Sequence, residues 1–228
     1  MPVIIGIDGC KSGWFATWKE PSGFLKSAVF TKLNQLVESF EDNSSLTIGI
    51  DMPVVLDDSI PREADRMART LLGKKASSIF TAPTSQMLYQ PTYELACQFS
   101  KKNFGKSISI QSWHLFPKIK DVQTVIHHEQ LDMYEIHPEL SFRAMNNNEV
   151  VMESKKTSNG FLMRRRLIEK HFLTFDFETI RTEHLKKNVA DDDILDALAV
   201  LWSTQRVTDK QATFLPDLPL KPNMRIAY

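Results

Sequence analysis

The sequence predicts an α/β fold: a mixed five-stranded sheet flanked by helices, with a helical insertion between the fourth and fifth strands. Three observations carry this expectation. The runs "VIIGID" at residues 3–8 and "LTIGID" at 46–51 are hydrophobic nearly throughout, the pattern of strands covered on both faces. Two shorter runs, "GWFATWKE" and "GFLKSAVF", are separated by "PSG", which reads as two strands joined by a tight turn. Near the end, "DDDILDALAVLWSTQ" places carboxylates in the first turns of an alanine- and leucine-rich stretch, where the helix dipole favours them.

Taken in order, residues 3–30 form a three-strand antiparallel meander. "LNQLVESF" has apolar residues at Leu33, Leu36, Val37 and Phe40, the spacing of an amphipathic helix. The fourth strand follows, and its pairing stops at Pro53. Residues 57–130 read as the insertion. "PREADRMARTLLG" is a helix with Pro61 near its first turn and Gly73 past its end, and "PTYELACQFSKKNFG" repeats that punctuation with Pro91 and Gly105. "KKASSIFTAPTS" between them is a polar loop with an apolar centre, and "DVQTVIHH" a short helix. The fifth strand lies in "MYEIHPELSF" and ends near Pro138; "GFLMRRRLIEKHF" is a half-buried helix. We expect one domain over 1–212, with 213–228, which holds three prolines, as an extended surface strap.

With 228 residues the chain buries a substantial core without disulfides. Its 28 basic and 28 acidic side chains give no net attraction to nucleic acid or to an anionic membrane, so any such binding needs a local patch. Cys10 and Cys97 have neither metal-site spacing nor a disulfide framework, which fits a reducing cytoplasm. No apolar stretch reaches about 18 residues and the chain starts directly in a strand, so neither a membrane span nor a signal peptide is expected.

This element order matches the ribonuclease H-like fold, in which the first strand is central and the fourth pairs beside it. Asp8 and Asp51 then end neighbouring strands at one sheet edge. On the closing helix Asp193 and Asp196, three apart, share a face, while Asp191 and Asp192 point elsewhere. Four converging carboxylates repel one another unless cations neutralise them, and an all-oxygen set suits Mg²⁺ or Mn²⁺. Two such ions would serve phosphodiester hydrolysis, making a nuclease acting on structured DNA or RNA the leading expectation. "DILDALAV" also resembles the acidic last helix of RuvC-type Holliday-junction resolvases.

A wider resemblance rests on "GIDGCKSGW", "IDMP", "READRMARTLLG", "SSIFTAP", "WHLFPKIKDV", "EIHPELSF", "KKTSNGFLMRR" and "DDILDALAV". Together these resemble the family called domain of unknown function 429, described as predicted ribonuclease H-like nucleases. The resemblance implies Asp8 as first-strand metal ligand, Asp51 as the fourth-strand one, and Asp193 with Asp196 as the last-helix pair. Glutamate is frequent at the fourth-strand position, so Asp51 has one methylene less reach. Asp192 is an alternative participant.

Other candidates each have a plainer reading. His137 and Glu139 follow the fifth strand as a metal ligand, general base or substrate contact, or as a hydrogen-bonded turn; Glu135 is an alternative carboxylate. Lys155, Lys156, Arg164, Arg165 and Arg166 form the most basic segment, able to hold phosphates or to make a solvated helix face. Arg62, Asp65, Arg66 and Arg69 have the spacing of ordinary helix ion pairs. Cys10 has no base near it in sequence to make it a nucleophile. Trp14, Trp18 and Trp202 read as core, and Trp113 as a pocket or base-stacking residue. Two rival functions remain open: a phosphotransferase of the sugar-kinase and actin-like type, which begins with a comparable aspartate, and a non-catalytic ribonuclease H-like binding module.

Overall fold

In the computed structural model, which describes residues 3–40, 45–58, 60–128, 131–219, 221 and 224–228, the apolar run at the start forms β1 (Val3–Cys10). It pairs antiparallel with β2 (Gly13–Lys19), which pairs antiparallel with β3 (Leu25–Phe30). On its other side β1 runs parallel to β4 (Leu46–Ile50), with Gly6 opposite Gly49 and Ile7 opposite Ile50. β5 (Leu131–Ile136) lies parallel to β4. These are the five strands expected.

The sheet does not stop there. β6 (Phe214–Leu215) and β7 (Ile226–Ala227) extend it to seven strands in the order β3-β2-β1-β4-β5-β7-β6, with β7 parallel to β5 and antiparallel to β6. The five-strand expectation and the reading of 213–228 as a surface strap are therefore corrected. Residues 220, 222 and 223 of that stretch lie outside the described residues. Each added strand is two residues long among prolines, too short for alternation to show, yet it covers the free edge of β5 and buries Ile226 and Tyr228.

The sheet separates two apolar layers. Ile5, Ile7, Ile48 and Ile50 face α1 (Leu33–Glu38) and the insertion, while the opposite face of the sheet carries α9 (Asp191–Thr208) and α7 (Ser158–His171). α9 lies directly on β1 and β4. A Cβ on Gly6 would stand 2.2 Å from the Leu201 backbone nitrogen, and one on Gly49 1.9 Å from the Thr204 hydroxyl. Only glycine permits this approach.

The insertion holds α2 (Glu63–Leu72), a 3-10 turn (Gly73–Ser78), α3 (Ser85–Leu88), α4 (Tyr93–Phe104) and α5 (Ile110–Val125). Residues 59, 129 and 130 lie outside the described residues. Gly73 and Gly105 end α2 and α4 at positive φ, as their positions past the periodic runs imply. Two readings change. The polar loop at 74–85 begins in the 3-10 turn, and "DVQTVIHH" is only the end of the sixteen-residue α5. Pro117 inside α5 hid its first half; burial of Phe116, Ile119 and Val122 holds the helix together across it. Asp121 of α5 accepts from Trp14 Nε1 (2.6 Å) and from the first amide of α1, Leu33 N (3.0 Å). The insertion is thus tied to the sheet and to the helix α1. After β5 come α6 (Pro138–Met145), α7 and α8 (Phe177–Glu183), the last a seven-residue helix the sequence did not announce. Among the described residues no helix is long and apolar enough to cross a membrane.

Candidate functional site

The repeated "GID" explains how two carboxylates meet. Gly6 and Asp8 are two apart on β1 and point to the same face, the one α9 covers. The matching register, Gly6 with Gly49, carries Asp51 to the corresponding place just beyond β4, where its amide donates to Ile7 O (3.1 Å). The close seat of α9 on both glycines brings Asp196 over the pair. Asp8 is 7% exposed and Asp196 3%.

Burial, then the Asp196 and Asp51 carboxylates, hold the Asp8 carboxyl well above its ordinary value, and Asp193 adds to the effect. Asp51 is pushed up to about 6 by burial and by Asp196, against the opposing pull of His137 and Lys155. Asp196 is raised by burial, although Lys155 draws it down. The side chains of Asp8 and Asp51 accept no hydrogen bond among the described residues. Desolvated, mutually repelling carboxylates of this kind are stabilised by a nearby positive charge.

One cation is present in the chain itself. Lys155 Nζ lies 2.5 Å from Asp196 Oδ2 and 3.3 Å from Asp192 Oδ2. Burial lowers the Lys155 pKa, but Asp196 and Asp8 more than offset this and hold it above the usual lysine range. Lys156 Nζ donates to both oxygens of Asp192 at 2.7 Å. Asp192 therefore faces the basic loop beside the site, and the expectation that it points elsewhere is corrected: it lies one turn before Asp196, on the same side of α9. Asp193 turns back, its Oδ2 accepting from Ala190 N (2.8 Å) at the start of α9, and burial raises its pKa despite that bond. A cleft of about 520 Å³ beside these acids is lined by Lys155, Lys156, Thr157, Lys186 and Asp192 among others.

The remaining candidates are engaged elsewhere. Arg164 is buried and donates from Nη2 to both oxygens of Glu139 at 2.8 Å, and from Nη1 to Glu153 O and Gly160 O. Glu139 is still near enough to raise Asp196. Arg165 pairs with Glu169 and Glu178 on the outside of α7. His137 caps α6, accepting from Glu139 N at Nδ1 (3.2 Å), so its Nε2 carries the proton facing Ser78 O (3.2 Å). Glu135 is clamped by the buried Arg62, which also holds Asp65: the Glu135 contacts are 2.5 and 2.8 Å and the shortest Asp65 contact is 2.7 Å. The i,i+3 pairing of Arg62 with Asp65 was legible; the partner 73 residues away was not. Cys10 is buried and its thiol is pushed up by that burial, unlike an activated nucleophile. Trp113 packs against Phe116 and Tyr93.

Sequence reasoning missed Lys118. Its ammonium donates to Cys10 O (3.1 Å) and Gly13 O and sits 4.4 Å from the centre of the Trp14 ring, close enough to Asp8 and Asp193 to feel both charges. It braces the turn that follows Asp8. Its motif, "WHLFPKIKDV", carried no local hint of a contact made 108 residues away.

Whether these acids suit a metal has two sides. The donor chemistry fits: clustered aspartates, all-oxygen, with excess negative charge. As the side chains stand, no group of three or more acidic, histidine or cysteine residues among the described ones is arranged to hold a metal ion. Lys155 holds one member and the helix cap another. Filling the site requires Lys155 to leave Asp196.

Comparison with curated proteins and with solved structures returns no match. A family described as "Protein of unknown function (DUF429)" matches residues 6–220, a span that contains every acid of the site and all of the sheet but the start of β1 and the last strand. The chain belongs to that family.

Proposed function

We propose that the protein is a divalent-metal-dependent nuclease that hydrolyses phosphodiester bonds of structured DNA or RNA on a ribonuclease H-like scaffold. The observation that carries this reading is the convergence of buried Asp8 and Asp196 with the partly buried Asp51, with no hydrogen-bond donor to their side chains but Lys155 among the described residues. Asp8, Asp51 and Asp196 would hold Mg²⁺ or Mn²⁺, one ion or two, with Asp193 as the fourth carboxylate. Bound there, the metal supplies a more acidic water and stabilisation of the leaving oxygen. Lys155 is the counter-charge of the metal-free site, and on leaving Asp196 its ammonium becomes available, with Lys156, to a substrate phosphate. Arg164 and Glu139 hold each other and set the position of α7 against α6, so they serve as support.

Purified protein with Mn²⁺ is expected to cut at least one of DNA, RNA, hybrid or junction substrates, and Asp8→Asn to reduce cleavage at least about 100-fold. No cleavage of any of the four, or full cleavage by Asp8→Asn, sinks the reading. A second reading, a non-catalytic binding module, draws on one observation: Asp196 is already paired with Lys155, and Asp193 is engaged in the helix cap. Lys155→Met separates the two. If metal must displace the ammonium, this variant binds Mn²⁺ several-fold more tightly in calorimetry; unchanged absence of binding favours the module.

A further inference from the structure

The insertion contains a cavity of about 660 Å³, separate from the acids but sharing a wall with the cleft at Asp51. Its wall includes Ile79 and Phe80, and the same two residues line the small cleft that holds Asp51 and His137. The His137 ring at Ser78 O ties that wall to the acidic site.

The chemistry of the cavity is one-sided in charge. No acidic side chain lines it, whereas Arg69 and Lys106 do. Arg69 is preset: Nε and Nη2 donate to Ile79 O, and Nη2 also to Thr81 Oγ1 (3.0 Å). Its Nη1 has no partner among the described residues, leaving a fixed donor. The facing loop is held as firmly, with Ser100 Oγ donating to Lys106 O (2.6 Å) and Tyr93 Oη to Ile108 O (3.1 Å). The rest of the lining mixes the apolar side chains of Phe80, Ile108 and Leu115 with serine and threonine hydroxyls. A cavity of this size fits a small organic group, and this combination fits one with an anionic end and a flat apolar body. Phosphate and nucleobase have those properties.

We propose that the cavity binds one nucleotide of a single strand, its phosphate at Arg69 and Lys106 and its base against Phe80, as the subsite next to the acidic cleft. Its role as a subsite rests on the nuclease reading; its affinity for a nucleotide does not. Because the acids are not part of the pocket, binding there needs no metal.

The test is fluorescence anisotropy of the full chain with a fluorescein-labelled eight-nucleotide single-stranded DNA in EDTA, with AMP as competitor. Lys106→Glu and Ser107→Trp alter exposed positions at the cavity rim, and their thermal unfolding shows whether they remain folded. Lys106→Glu is expected to weaken oligonucleotide binding about tenfold, the scale of one lost charge-assisted contact. Ser107→Trp, which fills the space, should weaken it at least as much. Oligonucleotide binding that ignores both rim substitutions overturns the proposal, as does no binding by the folded wild-type chain. Binding of AMP without the oligonucleotide also overturns it, by making the cavity a site for a free nucleotide. Rim-dependent oligonucleotide binding in a protein that cleaves nothing would remove the nuclease reading and leave the nucleotide site standing.

Discussion

Asp51 shows what a carboxylate loses by being placed beside other acids in a desolvated site. Burial and Asp196 move its pKa from the ordinary 3.8 to about 6, so the folded protein holds a proton there that the unfolded chain has released. Between those values the native state binds more protons than the unfolded state, and stability therefore falls as pH rises. The loss in the metal-free protein reaches about 3 kcal/mol once the pH is above 6, because each tenfold change in proton affinity is worth about 1.4 kcal/mol. Urea unfolding in EDTA between pH 4.5 and 7.5 should show this decline, and Asp51→Asn should flatten it and leave the variant more stable at pH 7.5. An equal slope in wild type and variant would mean that the carboxylate is not strained. Asp8 and Asp196 act in the same direction. Lys155 relieves part of the repulsion, which gives the basic segment a structural role.

At the level of elements, the decisive contact is α9 against β1 and β4. Gly6 and Gly49 let the helix backbone approach, and that approach sets the height of Asp196 over Asp8 and Asp51. Gly49→Ala would put a methyl group onto Thr204, Ile136 and Val200 and push the helix off the sheet. We expect a loss of about 1–3 kcal/mol in urea unfolding, the usual range for overpacking, together with loss of Mn²⁺ binding if the site is a metal centre. Gly9→Ala meets only the flexible Lys118 side chain, at 3.0 Å, and should lose less. Equal losses at the two positions would sink this account of α9. The insertion is coupled to the sheet by the buried Arg62, which joins Asp65 of α2 to Glu135 of β5. Removing either acid would leave the guanidinium partly unpaired in the interior.

The whole molecule is closed by its last residues. Met224, Ile226, Ala227 and Tyr228 are buried, and β7 occupies the edge of β5, which otherwise exposes unpaired backbone. Deleting residues 224–228 should lower stability by on the order of 5–9 kcal/mol, given about 1.5–3 kcal/mol for the burial of each of the large side chains Met224, Ile226 and Tyr228. It should also promote association through the bared edge. An unchanged urea midpoint for the truncated chain would show that the two short strands contribute nothing.

The central strands, the antiparallel meander and the closing helix were readable because each is a local pattern: apolar runs, a turn signal and an acidic first turn before alanine and leucine. The same patterns placed Asp8 and Asp51 near strand ends and Asp193 and Asp196 in the first turns of the closing helix. Tertiary structure alone decided which of these acids meet, that Lys155 neutralises Asp196, that Arg164 is buried with Glu139, and that Arg62 clamps Glu135. It also decided that the proline-rich tail adds two strands to the sheet. The physical reason is the same in each case: periodicity reports what a residue does within one or two turns of its own element, whereas an ion pair or an edge strand depends on a partner that only folding brings near.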